Sequence, residues 1–328
     1  EKEEAVLLNA LSVMARMLNT AANTAKACDA NIVEALNNLA GHESAELRSR
    51  LSGCLATLAS FPAGKSSLVK DGALPVLAKL MNDKDKRVRR NSLQALERLS
   101  KHVDGCEALV SSSFVKDCLH SALEDGDATC KATALAVLSS CVACHNGAGL
   151  KQGLSNDGPA ACVSLLGHEV EAVRSAAAKA LFYFMCSDEG KEACVKAAAV
   201  QPLLKCLQDS ATAVAANAAQ ALMSVAIIDA GKSAILAGGV DAIIKALSAA
   251  RDTVLLVNVL QLVAAAAGRP EIRAEFVRAE VPQVIEGIVK ESKARNSTLP
   301  AAGQQVSDAS LRVAKVAEKA LALVTWTP

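Results

Sequence analysis

Aromatic residues are almost missing from this chain. Phe, Tyr and Trp make up 2% of 328 residues, with one Trp and one Tyr. That shortage excludes a platform that stacks single-stranded bases on rings. Net charge is nearly absent too, at +1, so no global field selects nucleic acid or a membrane surface. No run of 18 apolar residues occurs, and no membrane-spanning helix is expected. A start at Glu1 rather than Met gives the lack of a targeting signal little weight. Gly (18) and Pro (8) are few while Ala is abundant, which favours helix. No P-loop, H-E-x-x-H or G-x-S-x-G string is present, nor a convergent acid, base and nucleophile. No catalysis, cofactor, metal or small-molecule substrate is expected.

What is present is apolar surface, at 52% of residues, and a repeat. Val173-Arg-Ser-Ala-Ala-Ala-Lys-Ala-Leu181 returns as Val214-Ala-Ala-Asn-Ala-Ala-Gln-Ala-Leu222. Gly190-Lys191 returns as Gly231-Lys232, and Leu203 to Leu207 as Ile243 to Leu247. The shift of about 41 residues is a solenoid period. A core of one piece rarely grows past about 250–300 residues, whereas stacked repeats bury surface only against neighbours. Apolar pairs eight apart, close to two helical turns, continue the register: Leu47/Leu55, Val88/Leu96, Cys130/Leu138, Val173/Leu181, Val214/Leu222 and Val254/Leu262.

Each unit reads as three helices. It opens with a Gly turn at Gly64, Gly105, Gly147, Gly190 or Gly231, followed by a short helix. Pro75, Pro159, Pro202 and Pro282 mark the starts of second helices, where a missing N–H is tolerated. Polar loops such as Gly41-His42-Glu43 and Gly167-His168-Glu169 lead into the third. The pattern predicts an N-terminal capping helix at 1–22, six repeats over 23–268, and an atypical C-terminal repeat at 269–328. In that last repeat, 292–310 reads as a long loop and Leu311 to Val324 as the closing helix.

Eleven Cys are present, many at apolar positions: Cys54, Cys118, Cys162, Cys186, Cys194 and Cys206. They read as buried thiols in a reducing compartment. Cys141-Val-Ala-Cys144-His145 matches the haem-attachment string. It falls at the end of a third helix with no axial-ligand domain around it, and no second Cys pair stands at zinc spacing. Core thiols and a turn His account for it. The other His, at 42, 102, 120 and 168, are scattered. Lys84, Lys86, Arg87, Arg89 and Arg90 form the densest basic patch. It reads as a solvated face, with docking of an acidic partner as the alternative.

The Gly-Lys, Pro-Leu and Val-x7-Leu features resemble the armadillo repeat over about 23–290. The resemblance implies an all-α fold, a right-handed superhelical solenoid whose third helices line a concave groove. Peptide-binding armadillo proteins carry an Asn clamp whose matching positions here are Thr57, Arg98, Ser140, Tyr183, Ser224 and Ala264. Their Trp positions match Gly53, Gln94, Ala136, Lys179, Gln220 and Leu260. No Asn or Trp stands there, which argues against nuclear-signal recognition. By the same register Arg50, Asn91, Gln94, Arg98, Thr133, Lys179, Tyr183, Asn217, Gln220 and Ser224 are the expected groove. Tyr183 and Arg98 are its expected anchors.

Glu171 to Ala249 and the ending Val313 to Pro328 are similar to the radial spoke protein 14 type of armadillo protein. That resemblance implies a scaffold in the radial spokes of the axoneme of motile cilia and flagella, within the cytoskeleton. The implied partners are other radial spoke or axonemal proteins. A cytosolic armadillo adaptor for a peptide or chaperone partner is the alternative.

Overall fold

The computed structural model describes residues 2–297 and 308–326. All regular structure among them is helical, in 22 helices. The chain divides into two compact units, Glu1–Ala161 and Cys162–Pro328.

The first unit opens with α1 (Lys2–Met17). Three helix triads follow: α2 (Ala21–Asp29), α3 (Ile32–Leu39) and α4 (Ala45–Leu58); α5 (Pro62–Lys70), α6 (Ala73–Leu80) and α7 (Lys86–Ser100); α8 (Val103–Ser111), α9 (Phe114–Glu124) and α10 (Ala128–Val142). Next comes α11 (Ala148–Ser155), and α12 (Gly158–Leu165) carries the division between the units. The second unit holds α13 (Glu171–Phe184), then α14 (Asp188–Lys196), α15 (Val200–Cys206) and α16 (Thr212–Val225). α17 (Asp229–Leu236), α18 (Val240–Ala249) and α19 (Thr253–Ala266) form the next triad, and α20 (Pro270–Arg278), α21 (Val281–Ser297) and α22 (Asp308–Val324) the last.

Third helices stack on third helices. In the first unit α1 packs on α4, α4 on α7 and α7 on α10; in the second α13 packs on α16, α16 on α19 and α19 on α22. None of these helices could hide its apolar stripe alone, and neighbours supply the cover. Leu47, Val88, Cys130, Val173 and Val214 are fully buried, as are Leu55, Leu96, Leu138, Leu181 and Leu222 eight residues on.

The sixth pair is displaced by one residue. Val254 is 61% exposed, while Val263 is fully buried. The anchors of α19 are therefore Leu255 and Val263, which restores a period of about 41 residues. The N-cap shows why: Asp252 accepts the N–H of Leu255, as Ser44 accepts from Leu47 and Asp127 from Cys130. Such a cap satisfies a helix-end donor and sets the start of the helix.

The repeated glycines do not make turns. Gly64, Gly105, Gly190 and Gly231 lie inside the first turn of α5, α8, α14 and α17. There a Cβ would fall 2.1, 2.4, 1.9 and 2.0 Å from the carbonyl oxygens of Leu58, Leu99, Phe184 and Val225. Gly147 does adopt a left-handed φ of 69°, but the packing position of its repeat belongs to Gly149, 1.8 Å from the Cys141 oxygen by the same measure. The first helix thus presses on the end of the preceding third helix, and only hydrogen fits.

The left-handed turns precede the second helices, at Asn31, Gly72, Ser113, Asp157, Ala198 and Glu280. Only Gly72 adopts that conformation without the cost a Cβ brings. The stretch 292–310 is also shorter as a loop than expected: α21 runs to Ser297 and α22 begins at Asp308. The remainder, 298–307, lies outside the described residues. Cys186 is exposed, against the expectation of an apolar site, whereas Cys54, Cys118, Cys162, Cys194 and Cys206 are buried. Near the C-terminus the Arg273 guanidinium lies 4.8 Å from the centre of the Trp326 ring, a cation–π contact between α20 and the segment after α22.

Candidate partner-binding face

The third helices carry the predicted groove residues, and the local geometry differs residue by residue. Arg50 on α4 pairs with Glu46 at 2.9 Å and donates to the Leu8 carbonyl at 3.1 Å and to the Ser12 hydroxyl. It ties α4 to α1. Asn91 donates to the Ser49 carbonyl at 2.9 Å and the Ser52 hydroxyl at 3.3 Å. Asn217 does the same to the carbonyl and hydroxyl of Ser175, at 3.1 and 2.9 Å. Asn258, absent from the predicted set, donates to the Ala216 carbonyl at 3.0 Å. These amides sew one third helix to the next.

Arg98 donates to the Ala56 carbonyl near the end of α4, and the Thr133 hydroxyl donates to the Thr129 carbonyl. Ser224 is 5% exposed and donates to the Gln220 carbonyl. Four side chains are different. Gln94 in the first unit, and Lys179, Tyr183 and Gln220 in the second, make no side-chain hydrogen bond or ion pair among the described residues. Gln94 and Lys179 are exposed, and Tyr183 and Gln220 are half-buried. The corrected register of α19 moves two matching positions, from Leu260 to Gln261 and from Ala264 to Ala265. Leu260 is fully buried; Gln261 is half-buried and likewise unspent. The Tyr183 ring leans on Phe182, with centroids 5.2 Å apart at 58°.

Most of the basic patch is neutralised. Arg89 pairs with Asp125 at 2.7 Å, and both side chains are largely buried. Arg90 pairs with Asp127, and Arg87 with Asp85 at 2.8 Å and Glu46 at 2.7 Å. Lys84 and Lys86 remain exposed. The Arg89 pair is one rung of a ladder that sequence reasoning missed. Arg48 pairs with Asp83 and Arg174 with Asp209, each at 2.6 Å. Every such Arg follows the buried anchor of its third helix, in Leu47-Arg48, Val88-Arg89 and Val173-Arg174. That recurrence was the available signal.

Each ladder Asp also caps its own loop, accepting the N–H two residues on. Burial pushes the Asp125 carboxyl up, but Arg89 and the Asp127 N–H pull harder, and it rests below its usual 3.8. Asp83 balances the same way with Arg48. For Asp209 the Arg174 hydrogen bond is the largest influence, and it too is lowered. These are charge-assisted, bidentate contacts of the strong kind.

Comparison with known proteins places the fold. The HEAT repeat family matches residues 73–103, which span α6 and α7. No curated protein matches the chain. Among solved structures, an engineered protein is 26% identical, covering 72% of this chain and 96% of its own, with a TM-score of 0.66. A designed armadillo repeat protein in complex with the peptide (KR)4 is 21% identical, covering 71% of this chain and 98% of its own, at 0.64. UNC-45 from Drosophila melanogaster is 17% identical and covers 92% of this chain, at 0.65; the chain spans 37% of that protein. The fold is all-α, an armadillo-type repeat stack.

Proposed function

We propose that this chain is a non-catalytic scaffold that holds helical or irregular segments of other proteins on the third-helix face of its second unit. One observation carries the reading. Lys179, Tyr183, Gln220 and Gln261 lie on the successive third helices α13, α16 and α19, with no side-chain hydrogen bond or ion pair among the described residues. A partner segment can complete those bonds while Tyr183 supplies apolar contact. The designed relative held a basic peptide; here Lys179 has no ion partner among the described residues, which favours a neutral or acidic segment.

The finer reading is a subunit of the radial spoke in the axoneme of motile cilia. Its support is the sequence resemblance over Glu171 to Ala249 and Val313 to Pro328. A spoke subunit should stay with detergent-extracted axonemes and leave only in high salt or chaotrope. Release with the soluble fraction would favour a cytosolic adaptor instead. Lys179→Glu combined with Tyr183→Ala should abolish incorporation into spokes; unchanged incorporation would remove this face from the account.

A further inference from the structure

Three arginines of the ladder hold carboxylates in one way. Arg48, Arg89 and Arg174 each donate from Nη1 to two carbonyls of the loop before their helix, at 2.8 to 3.1 Å. Each then closes its Nε/Nη2 edge on both oxygens of an Asp from the next repeat: Asp83, Asp125 and Asp209. That edge is the planar fork that matches a carboxylate. Arg251 repeats the first half of this pattern. Its Nη1 donates to the carbonyls of Ser248 at 2.8 Å and Ala250 at 3.0 Å, where α18 ends. Its Nε and Nη2 make no hydrogen bond or ion pair among the described residues. The acid beside it in sequence, Asp252, already accepts the Leu255 N–H as the cap of α19.

Arg251 borders a cavity of about 400 Å³ in the second unit, lined from α18, α19, α21 and α22. That volume suits a small ligand. Leu247, Leu256, Ile288 and Val313 give it apolar walls, and Thr253 and Ser292 bring hydroxyls. Ser292 is only 8% exposed, yet its hydroxyl makes no hydrogen bond among the described residues. A polar group buried that deeply ordinarily has a partner. Glu291 lines the cavity as well. Its negative charge beside the single guanidinium favours a monoanion over a dianion.

We infer that this cavity binds a small aliphatic monocarboxylate. Its carboxylate sits on the Nε/Nη2 edge of Arg251, with the Ser292 hydroxyl as a further donor. Its hydrocarbon body lies against Leu247, Leu256, Ile288 and Val313. The ligand supplies to Arg251 what Asp83, Asp125 and Asp209 supply to the three ladder arginines. Arg251 is exposed, so the ion pair alone adds little, and the apolar walls carry part of the affinity. A free acid and the C-terminal carboxylate of an aliphatic residue offer this same chemistry. The site does not depend on the partner-binding face of α13, α16 and α19, and either can fail alone.

The test uses the full chain and ligand-observed saturation-transfer NMR. Isocaproate should bind with a dissociation constant on the order of 1 mM. Isocaproamide and isoamylamine, which keep the branched body without the carboxylate, should bind at least about tenfold more weakly. Arg251→Gln should weaken isocaproate about tenfold or more, and Ser292→Ala about threefold or more. Lys245→Gln, at an exposed cation of α18 outside the cavity, should change nothing. N-acetyl-glycyl-leucine separates the two sources: binding tighter than isocaproate assigns the site to a chain terminus, and weaker binding to a free acid. The comparison of acid with amide needs only the wild-type chain, so it decides even where a variant fails to fold. Equal binding of acid and amide, no binding of isocaproate at about 10 mM, or undiminished binding in Arg251→Gln would overturn the inference.

Discussion

The two units use one kind of third helix for different ends. In the first unit most of the polar side chains assigned to the face are spent inside the protein: Arg50 on α1, Asn91 and Arg98 on α4, and Thr133 on its own helix. In the second unit the helices are rich in Ala. Asn217 and Asn258 do the sewing, and Lys179, Tyr183, Gln220 and Gln261 are left over. The lesson is that a polar residue in a groove register is not yet a binding residue. A side chain already satisfied by the neighbouring repeat stabilises the stack, and taking it for a partner would cost that bond.

The largest effect should come from Gly190→Ala in the second unit and Gly64→Ala in the first, since each Cβ meets a backbone carbonyl. Each should cost about 3 kcal/mol or more, read by denaturant titration, and equal damage in both would show that this contact is common to the units. Next comes Asp125→Ala, which leaves the largely buried Arg89 unpaired and should cost about 3 kcal/mol.

The folded Asp125 carboxyl sits below its usual 3.8. Its contribution is therefore complete above that value and is lost as pH falls through the folded pKa. Melting curves of wild type should drop steeply in that acidic range, and those of Asp125→Asn should drop less.

Smaller effects separate the faces themselves. Asn91→Ala should cost about 1 kcal/mol of stability through its two lost bonds. Lys179→Ala and Gln220→Ala should each change stability by less than about 0.5 kcal/mol while weakening partner binding. Ala198→Gly, relieving a left-handed φ of 55°, should stabilise by about 0.5–1 kcal/mol, visible as a raised melting temperature.

The repeat was legible because the anchors Val173/Leu181 and Val214/Leu222 recur in nearly unbroken text. The register of α19 was not, because Val254-Leu255-Leu256 offers three apolar residues in a row and period alone cannot choose among them. The cap at Asp252 chooses. The glycines were legible as a row but not as a contact, since the carbonyl each one meets lies on another helix. The same limit hid the ladder: Arg48 and Asp83 stand in different repeats, and only the fold brings them to 2.6 Å. Tyr183 and Lys179 were legible as positions; that their bonds are unspent was not.

Amine-reactive crosslinking of the chain in its native complexes, read by peptide mass spectrometry, separates the two units most sharply, because each presents exposed lysines, Lys84 and Lys86 in the first and Lys179 in the second. Lys179 should be joined to segments of other chains, and Lys84 and Lys86 should not. Links to other chains from Lys84 and Lys86, with none from Lys179, would contradict the proposed face.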